Sequence, residues 1–376
     1  MSANPTEVET LTRRLVSIPS YEDETAAGDA VESWLREETD ARVTRDGHGN
    51  VIACRGEGAA SLALVAHHDV VAPDESQVID GGGSDGENRD TPESEYVVEE
   101  RDGRLYGRGT ADMKGSLAAA MLAFRDADPA GELVFASFVG EEQGGVGARA
   151  AIDDGFAPDY AVVGEGSTNY AGDEQTDVVI AHRGRRGSTI TARGTAAHAS
   201  EPEAGENAVY RACDAVDIVR DLDAPAATVL GEEVQGSVVV TEIEGGSAWN
   251  VVPERCTATV DERTVPGERA PLERVEEIDG VAWTVDQDLP PMACREGAFA
   301  DAALAAADAA QSATPEHVTK PHATDAGWLS EAGTACVVVG AAEPGEAHTA
   351  HESVAIDVLE RCQRIYQSLA ERWPEE

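Results

Sequence analysis

Lysine is nearly absent from this 376-residue chain, which has it only at Lys114 and Lys320. Acidic residues outnumber basic ones 72 to 28, so the formal net charge is -44. Nucleic acids and anionic membranes are bound by basic patches, so this composition predicts neither as a partner. Concentrated salt would screen the self-repulsion of so acidic a surface, and the pattern therefore predicts a halophilic protein.

Long apolar runs are also missing, and none approaches the roughly 20 residues of a membrane-spanning helix. The start of the chain lacks the basic and apolar regions of a signal peptide, which favours a cytoplasmic location. The cysteines are scattered and form no C-x-x-C motif, so we expect reduced, mostly buried thiols and no cysteine zinc site.

Short apolar runs alternate with helical segments in the first and last parts of the chain. Buried strands are predicted at 62–66, 133–139, 161–163 and 336–339, and helices at 6–16, 29–36, 115–124 and 356–372. This alternation predicts an α/β domain with a doubly wound mixed sheet, formed by residues 1–179 and 291–376. The Gly-rich acidic stretch 80–95 is predicted to be a surface loop or flap.

The middle of the chain, residues 180–290, follows a different pattern. Strands and helices are expected there in the order β-α-β-β-α-β. This order is typical of a ferredoxin-like α+β module, so we predict a second domain inserted into the first.

Imidazoles and carboxylates follow the predicted strands, where open α/β sheets bind their ligands. The first strand is followed by His67, His68 and Asp69. An imidazole here could bind a metal ion, with Asp69 orienting the ring. His68 is a rival to His67, although alternation along the strand would direct it to the opposite face.

A second candidate, Asp112, lies in the string Gly-Arg-Gly-Thr-Ala-Asp-Met-Lys-Gly before a helix. An aspartate in this place could simply cap the helix. The string as a whole is more specific, and the two oxygens of Asp112 could bridge two cations.

The adjacent carboxylates Glu141 and Glu142 follow another apolar run. They could be a solvated pair in so acidic a chain, but buried carboxylates repel each other unless a positive charge compensates them. One could then bind metal while the other accepts a proton from water. Glu165 and His348 follow further strands, and His351 is a rival to His348.

In this order the residues resemble the family of dinuclear zinc amidohydrolases and exopeptidases that includes carboxypeptidase G, acetylornithine deacetylase and succinyl-diaminopimelate desuccinylase. The resemblance covers nearly the whole chain. It implies two Zn²⁺ ions per subunit, with Co²⁺ or Mn²⁺ as alternatives. It further implies that His67 and Glu165 hold one ion, that Glu142 and His348 hold the other, that Asp112 bridges them, that Asp69 orients His67 and that Glu141 is the general base.

The resemblance also implies that the inserted domain is a lid that forms a homodimer, with His198 reaching the partner's active site. Positions that contact substrate in the family are matched by Arg185, Arg186, Asn250, Arg263 and Thr324. Positive charge is scarce in this chain relative to the 72 acidic residues, and the guanidinium groups of these arginines suit a substrate that carries free carboxylates.

The function implied is hydrolysis of the amide bond of a small N-acyl amino acid. The segments 185–188 and 109–116 look closest to the desuccinylases, which favours N-succinyl-LL-2,6-diaminopimelate and the products succinate and LL-diaminopimelate of lysine biosynthesis. An N-acetylornithine or N-acetyl-lysine deacetylase, or a dipeptidase, is the alternative. Three features depart from the family pattern: Gly166 stands where many relatives have Pro, His351 where they have Asn, and 93–101 replaces an aromatic segment.

Overall fold

A computed structural model of the chain describes residues 4–79 and 95–373. The described residues form two compact units: those within 1–180, 293–318 and 324–376 belong to the first, and those within 181–292 and 319–323 to the second. The loop predicted at 80–95 lies outside the described residues except for its last position. No helix within the described ranges is long and apolar enough to cross a membrane.

Eight α-helices are found in the described residues. They are α1 (Glu7–Val16), α2 (Thr25–Glu38), α3 (Gly115–Asp126), α4 (Val146–Asp153), α5 (Ala208–Arg220), α6 (Gly297–Ala310), α7 (Asp325–Glu331) and α8 (Ile356–Arg372). The first begins where the Thr6 hydroxyl accepts the backbone N–H of Glu9, which satisfies one of the free donors of a helix start. Helix α3 is Ala-rich and buried on all sides, as expected of a helix that crosses the core.

The described chain also contains 22 strands, most of them short. They are β1 (Arg42–Arg45), β2 (Val51–Arg55), β3 (Ser61–His67), β4 (Val78–Ile79), β5 (Glu95–Tyr96), β6 (Glu99–Arg101), β7 (Arg104–Tyr106), β8 (Glu132–Phe138), β9 (Tyr160–Val163), β10 (Val178–His182), β11 (Arg185–Arg193), β12 (Ala197–His198), β13 (Ala226–Val229), β14 (Glu232–Gln235), β15 (Ser237–Gly245), β16 (Val251–Val252), β17 (Arg255–Arg263), β18 (Val281–Leu289), β19 (Met292–Ala293), β20 (His317–Lys320), β21 (Ala335–Val338) and β22 (Ser353–Ala355).

The large sheet has the order β1-β2-β8-β3-β9-β21-β10-β19, with β20 beside β10. Strands β8, β3, β9 and β21 are parallel neighbours, whereas β1, β2 and β8 pair antiparallel. The apolar side chains of β3 and β8 are buried, which is typical of parallel strands covered on both faces. The doubly wound mixed sheet predicted from the sequence is confirmed.

The inserted unit is built on the four-stranded sheet β15-β17-β11-β18, in which all pairs are antiparallel. Helix α5 and the 3-10 turn Leu272–Glu277 lie on one face, and their buried apolar side chains share a core with those of β11 and β17. This is the ferredoxin-like arrangement predicted for the insert. The second predicted helix is only this short turn, which follows Pro271, and the hairpin β13–β14 was not predicted.

Candidate metal centre

The carboxyl ends of four neighbouring parallel strands bring the predicted ligands together in the first unit. His67 is the last residue of β3, Glu141 and Glu142 follow β8, and Glu165 follows β9. His348 comes from the segment after β21, and Asp112 from the turn that precedes α3. Parallel strands end at the same edge of a sheet, so side chains distant in sequence converge there.

Asp112 lies at the centre of this cluster. Its Oδ1 is 3.1 Å from Nε2 of His67, and its Oδ2 is 3.0 Å from Nε2 of His348. Each oxygen of one carboxylate therefore faces a different imidazole. This is the geometry that a carboxylate bridging two cations requires.

The other carboxylates complete two groups of ligand atoms. Oε1 of Glu142 is 2.9 Å from Nε2 of His348, and Oε1 of Glu165 is 3.4 Å from Nε2 of His67. Ligand atoms of His67, Glu141 and Glu165 lie within 4.8 Å of one another, and so do those of His67, Asp112 and Glu142. The donor set of imidazole nitrogens and carboxylate oxygens suits divalent metal ions.

Asp69 contacts both sides of the cluster although it is not among these ligand atoms. Its Oδ1 is 3.2 Å from Nδ1 of His67. Its two oxygens also accept the backbone N–H groups of Glu141 and Glu142, at 3.2 and 3.0 Å. Asp69 thus orients the imidazole of His67 and fixes the turn that carries the two glutamates.

The two rival histidines lie elsewhere. Nδ1 of His68 is 2.8 Å from the Ser137 hydroxyl, so its ring points away from the cluster, as strand alternation predicts. His351 lines a separate cavity of about 250 Å³. His67 and His348 are the imidazoles that reach Asp112.

The pKa values of the residues in the cluster are shifted in directions that favour bound positive charge. Burial raises the pKa of Glu141 well above its usual range and also raises the pKa of Glu142. Burial alone would lower the pKa of His67, but hydrogen bonds with Asp112, Asp69 and Glu165 raise it well above its ordinary value.

His348 is affected in the same direction. Hydrogen bonds with Asp112 and Glu142 raise its pKa to about 10. Without metal, both imidazoles are therefore held as cations among carboxylates. Divalent ions fit this environment because they would supply positive charge among the same carboxylates and bind the same imidazole nitrogens.

Two acidic residues beside the cluster were not predicted from the sequence. Oδ1 of Asp325 is buried and has no hydrogen-bond partner among the described residues, and burial raises the pKa of Asp325 to about 8. Burial likewise raises the pKa of Glu24 to about 7, and its carboxylate accepts the N–H of Gly140 at 3.1 Å. Asp325 directly follows Thr324, which could have drawn attention to it, whereas Glu24 is hidden in an acidic run.

The predicted substrate-binding arginines of the insert lie on opposite faces of its sheet. Nε of Arg185 donates to one oxygen of Asp261 and Nε of Arg263 to the other, both at 2.8 Å, on the face not covered by α5. Arg186 is buried on the covered face. Its Nε donates to Glu262 at 2.5 Å and its Nη2 to the carbonyl of Ala270 at 2.7 Å.

Arg186 is therefore placed differently from the prediction. Its guanidinium is engaged by a buried carboxylate and a carbonyl, and it also lies over the ring of Trp283. Its contacts are those of a side chain that holds the insert together, and we leave Arg186 out of the proposed substrate contacts.

The remaining predicted site residues, His198, Asn250 and Thr324, each make a hydrogen bond with a residue close in sequence or within the same unit. His198 is exposed on β12, which pairs with β16, and its Nδ1 is 2.7 Å from the Ser200 hydroxyl. The carbonyl of Asn250 accepts the N–H of Ala199 in the same unit. Thr324, in the first unit, caps α7 by accepting the N–H of Ala326 at 3.2 Å.

Taken together, a doubly wound sheet with a carboxylate between two imidazoles at its carboxyl edge defines a candidate metal site of an α/β protein. The chain matches the peptidase family M20/M25/M40 over residues 63–372 and belongs to that family. The family resemblance predicted from the sequence is therefore confirmed.

Two relatives and one solved structure illustrate the similarity. A probable succinyl-diaminopimelate desuccinylase of Staphylococcus epidermidis is 32% identical over 252 residues, which cover 59% of this chain and 58% of the relative. The chain therefore matches less than two thirds of that relative's length. An acetylornithine deacetylase of Myxococcus xanthus is 29% identical over 340 residues, covering 84% and 82% of the two chains. The crystal structure of a dinuclear metal-binding peptidase of the M20 family from Bacillus subtilis shares the fold, with a TM-score of 0.68 at 18% identity over 97% of this chain and 96% of that chain.

Proposed function

We propose that this chain is a metal-dependent amidohydrolase that cleaves the amide bond of an N-acyl amino acid. The observation that carries this proposal is the position of Asp112, whose two oxygens face His67 and His348 at 3.1 and 3.0 Å. One ion would be held by His67 and Glu165 and the other by Glu142 and His348, with Asp112 shared. We favour Zn²⁺, with Co²⁺ or Mn²⁺ as alternatives, because nitrogen and oxygen donors suit all three.

The metal ions would supply Lewis acidity for the acyl carbonyl and for the attacking water. Glu141 is the proposed general base, which accepts the proton of that water and then delivers it to the leaving amine. Burial raises the pKa of Glu141, and a raised pKa suits a carboxylate that holds a proton between two steps. Asp69 holds His67 and the backbone of the Glu141 turn in register during both steps.

The favoured substrate is N-succinyl-LL-2,6-diaminopimelate. Arg185 and Arg263 converge on Asp261 on the open face of the inserted sheet, so two guanidinium groups are already arranged around one carboxylate there. A substrate carboxylate could exchange for Asp261 as their partner. The succinyl group adds a carboxylate that an acetyl group lacks, and the desuccinylase name of the staphylococcal relative supports the same choice.

A homodimer is the proposed assembly, formed through the insert. Strand β15 is an edge of its sheet and exposes Val239 and Ile243, which are 51% and 49% exposed. A long edge strand that presents apolar side chains favours pairing with another strand. The resemblance assigns His198 to the partner's active site, where it would stabilise the oxyanion formed from the acyl carbonyl.

The experiment is to measure free amine released from N-succinyl-LL-2,6-diaminopimelate and, in parallel, from N-acetylornithine, by purified protein in concentrated KCl with added zinc. A preference for the succinyl substrate supports the desuccinylase proposal. A preference for N-acetylornithine, the substrate class of the Myxococcus relative's name, would keep the metal centre and replace the substrate. Activity on neither would contradict the proposed substrate class.

A further inference from the structure

Glu352 links two segments that carry proposed ligands. It lies four residues after His348 in the sequence and is 1% exposed. Its Oε1 accepts the backbone N–H groups of Ala111 and Asp112, at 3.0 and 3.1 Å. One side chain from the His348 segment therefore fixes the backbone from which the central carboxylate extends.

The second oxygen of Glu352 is bound by a buried cation. Nη1 of Arg108 donates to Oε2 at 2.5 Å, and Arg108 is 3% exposed. The backbone N–H of Gly107 also donates to the Glu352 carbonyl at 3.1 Å. Burying an ion pair has a large desolvation cost, which a well-packed apolar pair of similar volume would avoid. Through Glu352 the pair contacts the backbone of the Asp112 turn.

Asp69 acts in a comparable way on the other side of the cluster. Its two oxygens accept the consecutive N–H groups of Glu141 and Glu142, one each, whereas Glu352 accepts the consecutive N–H groups of Ala111 and Asp112 on a single oxygen. We infer that Glu352, neutralised by Arg108, is a positioning residue of the metal centre: it holds the Asp112 turn against the His348 segment so that Asp112 presents one oxygen to each ion. This inference rests on the metal centre in the proposed function.

The test is a Zn²⁺ titration of the metal-free, full-length protein by calorimetry, with wild type and Glu352→Gln compared. Glutamine has one acceptor oxygen where glutamate has two, so its NH2 group must face either Arg108 or the N–H groups of Ala111 and Asp112, and the link between the pair and the turn is broken. Removal of a partner that orients metal ligands typically weakens binding by about 10- to 100-fold, and we expect a loss of that size for at least one ion.

A matched control exists in the insert. Glu262 is also fully buried, pairs with Arg186 at 2.5 Å and accepts a backbone N–H, that of Ala270, at 2.8 Å. Glu262→Gln disrupts the same kind of pair in the unit that carries no proposed metal ligand. It is expected to leave Zn²⁺ affinity within about two-fold of wild type, so a loss of affinity in Glu352→Gln alone separates positioning from general destabilisation.

The visible absorption of protein saturated with Co²⁺ gives a second readout, because the bands respond to coordination geometry. We expect altered bands in Glu352→Gln and unchanged bands in Glu262→Gln. Wild-type affinity for both ions together with an unchanged Co²⁺ spectrum in Glu352→Gln would overturn the inference while leaving the proposed function intact. Failure of the wild-type protein to bind two ions would instead contradict the metal centre itself.

Arg108→Lys keeps the inference testable where Glu352→Gln does not fold. Lysine retains the charge but not the planar guanidinium contact. A weaker affinity for at least one ion and altered Co²⁺ bands are expected in this variant as well, and wild-type values for both would overturn the inference.

Discussion

The two units treat buried charge in different ways. In the insert, buried Glu262 faces Arg186, and each has a further hydrogen bond to the backbone. In the first unit, the carboxylates around His67 and His348 outnumber their cationic partners, and burial raises the pKa of Glu141 and Glu142. A buried carboxylate that is paired with an arginine of the same chain stabilises the fold. Buried carboxylates in excess of their cationic partners favour the binding of an added cation.

The ion pair of Arg108 and Glu352 refines this comparison. Its contact distance equals that of the pair in the insert, 2.5 Å. The two pairs differ in the backbone N–H that the carboxylate also accepts. Glu352 accepts the N–H of Asp112, whereas Glu262 accepts that of Ala270. The same interaction therefore has a different consequence according to what the bound backbone carries.

The largest effect is expected from replacing Glu141, the proposed general base in the first unit. Glu141→Gln keeps the shape of the side chain but removes its ability to accept a proton. Loss of a general base lowers the rate by up to about 10,000-fold, and we expect a fall in kcat of about 1,000-fold with both ions still bound. Steady-state kinetics and metal analysis measure the two effects.

Glu37→Gln, on the exposed surface of α2, serves as the control and is expected to match wild type. Turnover by Glu141→Gln at the wild-type rate would falsify the assignment of Glu141.

The second prediction concerns the balanced pair of the insert. Arg186→Gln leaves Glu262 buried without its guanidinium, and breaking a buried pair in this way destabilises a protein by about 3 kcal/mol or more. We expect this loss to be local, with faster amide exchange in β11 and β17 and unchanged exchange in β3 and β8. Hydrogen exchange followed by mass spectrometry resolves these segments.

An equal increase in amide exchange rate in both units would show that the effect of Arg186→Gln is not confined to the insert. Unchanged exchange throughout would show that the buried pair has no structural role.

Features encoded by neighbouring residues in the sequence were predictable, whereas contacts between residues far apart in the sequence were not. The strands β3, β8, β9 and β21 were predictable because each is a short apolar run, and the polar residues at their ends were predictable because parallel strands share an edge. The partner of Arg186 was not, because Glu262 lies 76 residues away and only the pairing of β11 with β17 brings it close.

Glu352 illustrates the same limit within the candidate site. Its bonds to Ala111 and Asp112 span more than 200 residues, and a glutamate that accepts backbone N–H groups leaves no pattern in a sequence. Side chains that could bind metal directly were easier to find, because their residue types and their places after strands are visible. The residues that orient them became visible only in three dimensions.

The third prediction concerns the excess of carboxylates in the first unit and uses the pH dependence of metal affinity. Hydrogen bonds with Asp112 and Glu142 raise the pKa of His348 to about 10, so its metal-free imidazole is protonated at neutral pH. Metal binding needs the neutral ring and must release this proton. Affinity is therefore expected to rise with pH through the neutral range by up to about ten-fold per unit for each proton released.

Calorimetric Zn²⁺ titration between pH 6.5 and 8.5, in buffers with different ionisation enthalpies, counts the released protons. Affinity that does not change over this range, with no proton release, would contradict the assignment of His348 as a ligand.

The smallest expected effect separates two consecutive residues on opposite faces of one strand. Arg185 is exposed and contacts Asp261 on the open face, whereas Arg186 is buried against Glu262. Replacing an exposed guanidinium that contacts a carboxylate costs about 1 kcal/mol, so Arg185→Gln should raise KM about five-fold for a succinylated substrate and leave the free energy of unfolding within about 0.5 kcal/mol. KM for an acetylated substrate should change less, because the acyl carboxylate is missing. An equal rise in KM for both substrates would assign Arg185 to the amino-acid part of the substrate, and no rise for either would remove it from the binding site.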